Sequence, residues 1–227
     1  MKFQSSLKSI SALAVVVAIS GCVTVPVNED PIASLKEKAD WKMPDGCYPV
    51  TSPFKSWYGP GGGKRHIPHK GMDITAPEHT AVLAAHGGQV LFAGEDGLDG
   101  HTVRTYAGKD ITGNHIYASY VHMDSTLVKT GDYITRGQKV GGVSSTGAWG
   151  GRVNHLHMQV QANNHGEHRF GKGGYISERT AKLVNPQSYW YHKESSEYQV
   201  VKHDEGINFN DQPGVFRGFS YPVDCKK

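Results

Sequence analysis

The sequence predicts a mainly β fold, with antiparallel sheets forming a sandwich or a partly open barrel. Three observations carry that expectation. From Cys47 to about Trp190, short β-type runs alternate with glycine turns. No long amphipathic helical period interrupts them. The chain also holds 28 glycines beside ordinary charge and a good supply of apolar residues, a globular and turn-rich composition rather than a disordered one.

In chain order, the first element is an export signal. Lys2 and Lys8 give a positive start, residues 10–19 are apolar except for Ser11, and small residues Ser20 and Gly21 precede Cys22. The run is too short to read first as a membrane span, which needs about 20 apolar residues. An uncleaved N-terminal anchor is the alternative and leads to the same compartment. Ile19-Ser20-Gly21-Cys22 resembles a bacterial lipobox, in which the cysteine becomes the acylated first residue; more than one acyl chain suffices for stable anchoring. Residues 1–21 are therefore read as a lipoprotein signal peptide.

Residues 22–46 are read as the lipidated cysteine and a tether. The stretch is mostly polar, carries Pro26, Pro31 and Pro44, and has room for a short helix over 32–41. Fully extended, 23–45 reaches roughly 70–80 Å at about 3.3 Å per residue. Without residues 1–21 the balance is 22 basic against 21 acidic side chains, so charge gives no reason to expect nucleic acid as a partner.

Residues 47–190 form the predicted domain. Its clearest strand candidates are 89–93, 115–122 and 155–161, with Gly87-Gly88, Gly108-Lys109, Gly113-Asn114 and Gly131-Asp132 supplying turns. Residues 191–227 are polar with a few aromatics and read as a tail packed back on the domain. If Cys22 carries lipid, Cys47 and Cys225 remain as an even pair in an oxidising compartment, either as a disulfide spanning the domain or as two buried thiols. The extended-looking segments around both favour the disulfide.

Two clusters stand out among the 13 histidines: His69-Lys70-Gly71-Met72-Asp73 and His155-Leu156-His157. In an extended chain, residues an even number apart share a face, so His69 can face with Asp73 and His155 with His157. Two neutral imidazoles and a carboxylate suit zinc, with a fourth tetrahedral position open to water. Either pattern alone also occurs on solvated sheet surfaces. Other motifs fail: no H-E-x-x-H is present, and 164–168 begins with Asn where the inverted version needs His. The glycine run at 60–65 has Tyr58 and Arg65 where a phosphate loop needs Gly and Ser or Thr. Residues 142–146 lack the closing glycine of a nucleophile elbow.

The stretch from His69 to Ile74 followed by Ala84-Ala85-His86-Gly87-Gly88-Gln89-Val90 resembles the lysostaphin-like (LytM-type) zinc peptidoglycan endopeptidases. So do Tyr120-Val121-His122-Met123, the run from Val128 to Gly141, Ser145-Thr146-Gly147, Asn154-His155-Leu156-His157-Met158 and Val184-Asn185-Pro186, in the family's order over roughly residues 52–190. The resemblance implies a compact antiparallel β fold with a zinc site in a groove. It implies one Zn2+ per chain held by His69, Asp73 and His157, with His122 and His155 as catalytic histidines that are not ligands. His66 and His115 each lie seven residues from a motif member, the wrong parity for a shared face, and are read as surface or supporting residues. The sequence departs from the family at Asn154, where proline is frequent, in an irregular approach over 148–153, and in an insert around 109–112 expected to reshape a groove wall.

The implied reaction is hydrolysis of peptide cross-links in bacterial peptidoglycan, whose stem peptides and cross-bridges are the expected partner. Neither ligand motif carries a glutamate to act as base, so His122 and His155 inherit the proton and oxyanion roles. The alternative is a non-catalytic wall-binding module that activates other hydrolases, as in family members that have lost ligands; here all five positions are present. An adhesin or scaffold leaves the histidine spacing unexplained. Val23 after the cysteine is not the aspartate of an inner-membrane retention signal, which points to a lipid-anchored protein of the outer membrane facing the periplasm.

Overall fold

The computed structural model describes residues 43–171, 174–191, 200–202, 208–209 and 211–225. The signal peptide, lipobox and most of the tether lie outside the described residues. Among the described residues no helix is long and apolar enough to cross a membrane. A short 3-10 turn, Pro186–Tyr189, is capped by the Asn185 side chain, which accepts from the Gln187 N–H.

The strands are β1 (Val50–Ser52), β2 (Met72–Thr75), β3 (Ala81–Leu83), β4 (Gly88–Asp96) and β5 (Gly100–Lys109). They continue with β6 (His115–Met123), β7 (Tyr133–Ile134), β8 (Lys139–Gly142), β9 (His155–Asn163) and β10 (Lys182–Val184). The three predicted runs lie inside β4, β6 and β9. Every pairing between named strands is antiparallel. The main sheet runs β1-β2-β9-β6-β5-β4-β7, with β10 also on β9, and β3 pairs with β8 in a small second sheet. The main sheet ends on β1 and β7 and is not closed into a barrel.

Alternation along the central strands separates two faces. Met72, Ile74, Ile116, Ala118, Tyr120, Leu156, Met158 and Val160 enter the core on one face. There they meet Val82 and Val140 of the small sheet, and Trp190, Phe216, Phe219, Tyr221 and Val223 from the C-terminal segment. Asp73, Ser119, His155, His157, Gln159 and Gln161 occupy the alternate positions on the other face. Cys47 and Cys225 are bonded, with Cα atoms 4.3 Å apart and 178 residues between them in sequence.

One turn assignment from the sequence needs correction. Gly108 is not a turn residue but lies within β5 at a register shift, with φ 109°. A Cβ there would come within 2.6 Å of the Gly214 backbone, so the glycine admits the C-terminal segment. The insert at 109–112 lies at the far end of β6 from His122. It closes the β5–β6 hairpin, with Asp110 Oδ1 accepting from the Thr112 and Asn114 N–H groups. His115 starts β6 and His122 nearly ends it, which separates the hairpin from His122 by roughly 23 Å of strand.

Candidate metal centre

His155 and His157 come from β9, whose period of two turns both to the polar face. Asp73 comes from β2 and stands directly opposite His157. His69 does not lie in β2; it precedes the strand, and the chain bends back through Lys70 and Gly71 to reach the same point. The bend needs glycine for space, since a Cβ on Gly71 would come within 2.4 Å of the Met158 carbonyl oxygen and 2.9 Å of the His157 ring. Even spacing in an ideal strand thus gave the right partner for Asp73 by a different local geometry.

The three predicted ligands converge. Asp73 Oδ1 is 2.9 Å from His157 Nδ1 and 3.1 Å from His69 Nε2, and these two nitrogens are 2.9 Å apart. All three donor atoms lie within 4.8 Å of one another, and the residues are buried or half-buried. A tetrahedral zinc with bonds of about 2.0–2.1 Å separates its ligand atoms by roughly 3.3 Å, so this triangle needs only slight expansion to hold the ion. The surroundings also fit. His69 Nδ1 lies 3.1 Å from the Pro53 carbonyl and 3.2 Å from Ser52 Oγ, so donation to the carbonyl fixes the tautomer with a free Nε2.

Asp73 is fully buried, and burial works to raise its pKa. Hydrogen bonds from His157 and then His69 outweigh burial and hold the carboxyl well below the usual carboxylate range. Its second oxygen, Oδ2, accepts from Arg65 Nη2 at 2.6 Å. One oxygen is thereby committed to Arg65, and Oδ1 is left to the metal position. Arg65 was missed by sequence reasoning because it lies outside both motifs; its place in the hairpin bridged by Tyr58 and Lys64 brings it back over β2.

His122 reaches the site by a bulge. Val121 pairs with His157 and so holds the site-facing position, which alternation would deny to its neighbour. The β5–β6 register moves from Val103↔Tyr120 to His101↔Met123, placing one extra residue in β6. His122 has φ 66°, in the left-handed region, and its ring centre lies 5.1 Å from that of His155 and 5.9 Å from that of His157. Its Nδ1 lies 3.0 Å from the Asp99 carbonyl and 2.9 Å from the Thr146 carbonyl, so it carries the proton and Nε2 the lone pair. His155 Nδ1 donates to the Val153 carbonyl at 2.7 Å, and its Nε2 lies 3.7 Å from Asp73 Oδ1. The irregular approach over 148–153 therefore supplies the carbonyl that orients His155.

Burial is the largest cause lowering the His122 pKa, to about 3, helped by His157 and His155 and opposed by the Thr146 hydrogen bond. Burial also lowers His155 and His69. Burial accordingly favours the neutral imidazole at His69, His122 and His155, the state needed both for metal ligation and for accepting a proton. His66 is exposed, and His115 meets the Tyr106 hydroxyl at 2.9 Å at the other end of β6.

Residues 67–168 match the model for Peptidase family M23. The chain is 32% identical over 129 residues to "Uncharacterized lipoprotein YgeR" of Escherichia coli (strain K12), covering 52% of this chain and 47% of that protein. It is 32% identical over 103 residues to "Peptidoglycan DD-endopeptidase ShyB" of Vibrio cholerae, covering 44% and 22% respectively. It is 25% identical over 148 residues to "Murein hydrolase activator NlpD" of Salmonella typhimurium, covering 61% and 35%. The chain thus spans less than half the length of each of these relatives. Among solved structures, the catalytic domain of the antimicrobial peptidase lysostaphin from Staphylococcus simulans aligns with 61% of this chain and 89% of that chain, at 25% identity and a TM-score of 0.42.

Proposed function

We propose, from the premise that residues 67–168 of this chain belong to Peptidase family M23, that the protein is a zinc-dependent endopeptidase hydrolysing peptide cross-links of bacterial peptidoglycan. The observation that carries the reading is the division of labour on one sheet face. His69, Asp73 and His157 converge with metal-sized spacing, while His122 and His155 sit beside them with Nδ1 tied to backbone carbonyls. A relative that is itself named a peptidoglycan DD-endopeptidase supports the substrate class.

When bound, zinc supplies Lewis acidity, polarising a carbonyl and making water acidic enough to act as a nucleophile near neutral pH. The chain's own residues do the rest. Asp73, with Oδ2 held by Arg65, presents Oδ1 at a fixed position, and Gly71 lets His69 close the triangle. His122 and His155, neutral through burial, each offer an Nε2 lone pair to accept a proton. A protonated Nε2 then hydrogen-bonds to the oxyanion, whose charge is greatest in the transition state, and passes its proton to the departing amine as the C–N bond breaks. In this proposal Cys22 carries the lipid, residues 23–45 tether the domain, and the domain faces the periplasm from the outer membrane. The relative named a lipoprotein supports anchoring.

The test is digestion of purified peptidoglycan by the zinc-loaded protein, with mass analysis of the fragments and a chelated control. Metal-dependent release of cross-link cleavage products is the expected result. A similarity to a protein named a murein hydrolase activator favours a second reading, a wall-binding module without chemistry of its own. No cleavage by the zinc-loaded protein, together with stimulation of a separate wall hydrolase, would establish that reading instead. Cys22→Ser should abolish fatty-acid labelling and membrane retention; equal labelling of both forms would end the lipid assignment.

A further inference from the structure

Arg104 lies in β5 opposite Phe92 of β4 and Ser119 of β6, and is 1% exposed. Ser119 in turn pairs with Gln159 of β9. Directly opposed residues share a sheet face, so Arg104 stands on the face that carries His155 and His157. Its Nη2 is 2.8 Å from Asp99 Oδ2 and 3.7 Å from Asp96 Oδ2. Its Nε is buried with no hydrogen-bond partner, and the rings of Phe92 and Tyr175 are each centred 5.9 Å from the guanidinium carbon. An apolar side chain of that size would fill the same volume without an unpaired buried donor, so packing does not account for an arginine.

The turn at 96–100 does account for it. Arg104 holds the Asp99 carboxylate, and the Asp99 carbonyl accepts from both the backbone N–H and the Nδ1 of His122, each at 3.0 Å. Asp96 Oδ1 closes the turn by accepting from the N–H groups of Leu98 at 2.8 Å and Asp99 at 2.9 Å. The other carbonyl on His122 Nδ1, that of Thr146, belongs to a loop hung on the same turn. Ala148 N donates to the Gly97 carbonyl at 3.0 Å and Trp149 N to that of Leu98 at 2.9 Å. A left-handed histidine persists only where its surroundings over-determine it. Thr146 is also tied to the sheet directly, its Oγ1 accepting from the His101 N–H at 3.0 Å and donating to the Met123 carbonyl at 2.7 Å. The Asp99 carbonyl has only the turn to register it, and Arg104 is the sheet side chain that grips the turn through the Asp99 carboxylate.

We infer that Arg104 is a positioning residue for His122: through Asp99 it holds the carbonyl that keeps Nδ1 protonated and Nε2 free. The inference rests on His122 being the proton-handling group of the proposed hydrolase. The zinc-loaded, full-chain protein and its Arg104→Met and Arg104→Lys variants would be compared for turnover on purified peptidoglycan, zinc-to-protein ratio, thermal unfolding and the ring tautomer of His122 by long-range proton–nitrogen NMR. Arg104→Met should stay folded with its zinc, lose kcat by about tenfold to a hundredfold with KM little changed, and show His122 divided between its two tautomers. Arg104→Lys, which restores a cation to Asp99, should recover part of both. Should Arg104→Met fail to fold, Asp99→Asn removes the ion pair at constant volume and is read by the same NMR signal. A folded variant of either kind with an unaltered His122 tautomer overturns the inference. Absence of wall cleavage by the unsubstituted protein would defeat the hydrolase reading instead, while the tautomer comparison would still decide the role of Arg104.

Discussion

Asp73 is the residue on which the site balances, because its two oxygens serve different partners: Oδ1 faces His69 and His157, and Oδ2 accepts from Arg65. On the proposed roles, removing a ligand leaves an incomplete metal site, whereas removing a proton-handling group leaves the metal in place. His157→Ala should therefore lose most bound zinc, and some stability with it, because binding to the native state contributes to folding. His122→Ala or His155→Ala should keep nearly full zinc and lose wall hydrolysis roughly a hundredfold or more. The zinc-to-protein ratio set beside activity separates the classes; zinc loss in His155→Ala with retention in His157→Ala would reverse the order within that pair. Arg65→Ala should weaken zinc binding by about tenfold to a hundredfold, measured by competition with a chelating dye, because the partner orienting a ligand carboxylate is gone. Unchanged affinity would mean that Arg65 only packs. The pair in β9 was legible in the sequence because a strand's period is two. Arg65 was not, because nothing in its local pattern shows that a hairpin folds it over β2.

At the scale of elements, the site is where regular structure is interrupted. His122 faces the site only because β6 carries an extra residue, and a bulge leaves no reliable trace in an alternation of apolar and polar residues. Three strands, β4, β6 and β9, were legible from β-branched and aromatic runs between glycines, whereas β5 was not. The roles of particular glycines were not, since the same residue serves a turn, a bulge or a close approach. Gly147 shows the last of these. It has φ 81°, and a Cβ on it would come within 2.3 Å of Gly100 N and 2.5 Å of the Leu98 carbonyl oxygen. Gly147→Ala should force apart the two turns that hold His122, lowering stability by about 1–3 kcal/mol and wall hydrolysis more steeply than zinc content. Denaturant melts beside zinc and activity assays decide it. A variant with full activity would show that the two turns need not touch.

At the scale of the molecule, the segment over 211–225 and the disulfide close the chain on itself. Phe216, Phe219, Tyr221 and Val223 lie in the main core, and Cys225 is bonded across 178 residues to Cys47. The sequence suggested the pairing from the cysteine count and the extended-looking segments around both residues, but not the polar anchor of the same segment. Arg136 pairs with Asp211 at 2.7 Å and donates to the Gly218 carbonyl at 3.0 Å. His86, 2% exposed, stands 3.6 Å from Asp211 Oδ1 and packs on Phe216. Burial first, and then the Arg136 charge, lower His86 to about 4, against the opposing pull of Asp211. A histidine whose pKa is depressed on folding takes its proton more readily in the unfolded chain. Its neutral form thus contributes stability that is complete above the unfolded value, near 6.5, and is lost as pH falls toward about 4. Metal-free protein should accordingly lose on the order of 2–3 kcal/mol through this one residue across that window. His86→Gln, which cannot titrate, should be less stable near pH 7 yet show a shallower acid loss than the unsubstituted chain. The site histidines His69, His122 and His155 are lowered in the same direction and contribute equally to both curves, so the difference between them isolates His86. Parallel curves from pH 7 to pH 4 would mean that His86 keeps its proton balance on folding, and that the C-terminal segment is held by Arg136, Asp211 and the apolar cluster without it.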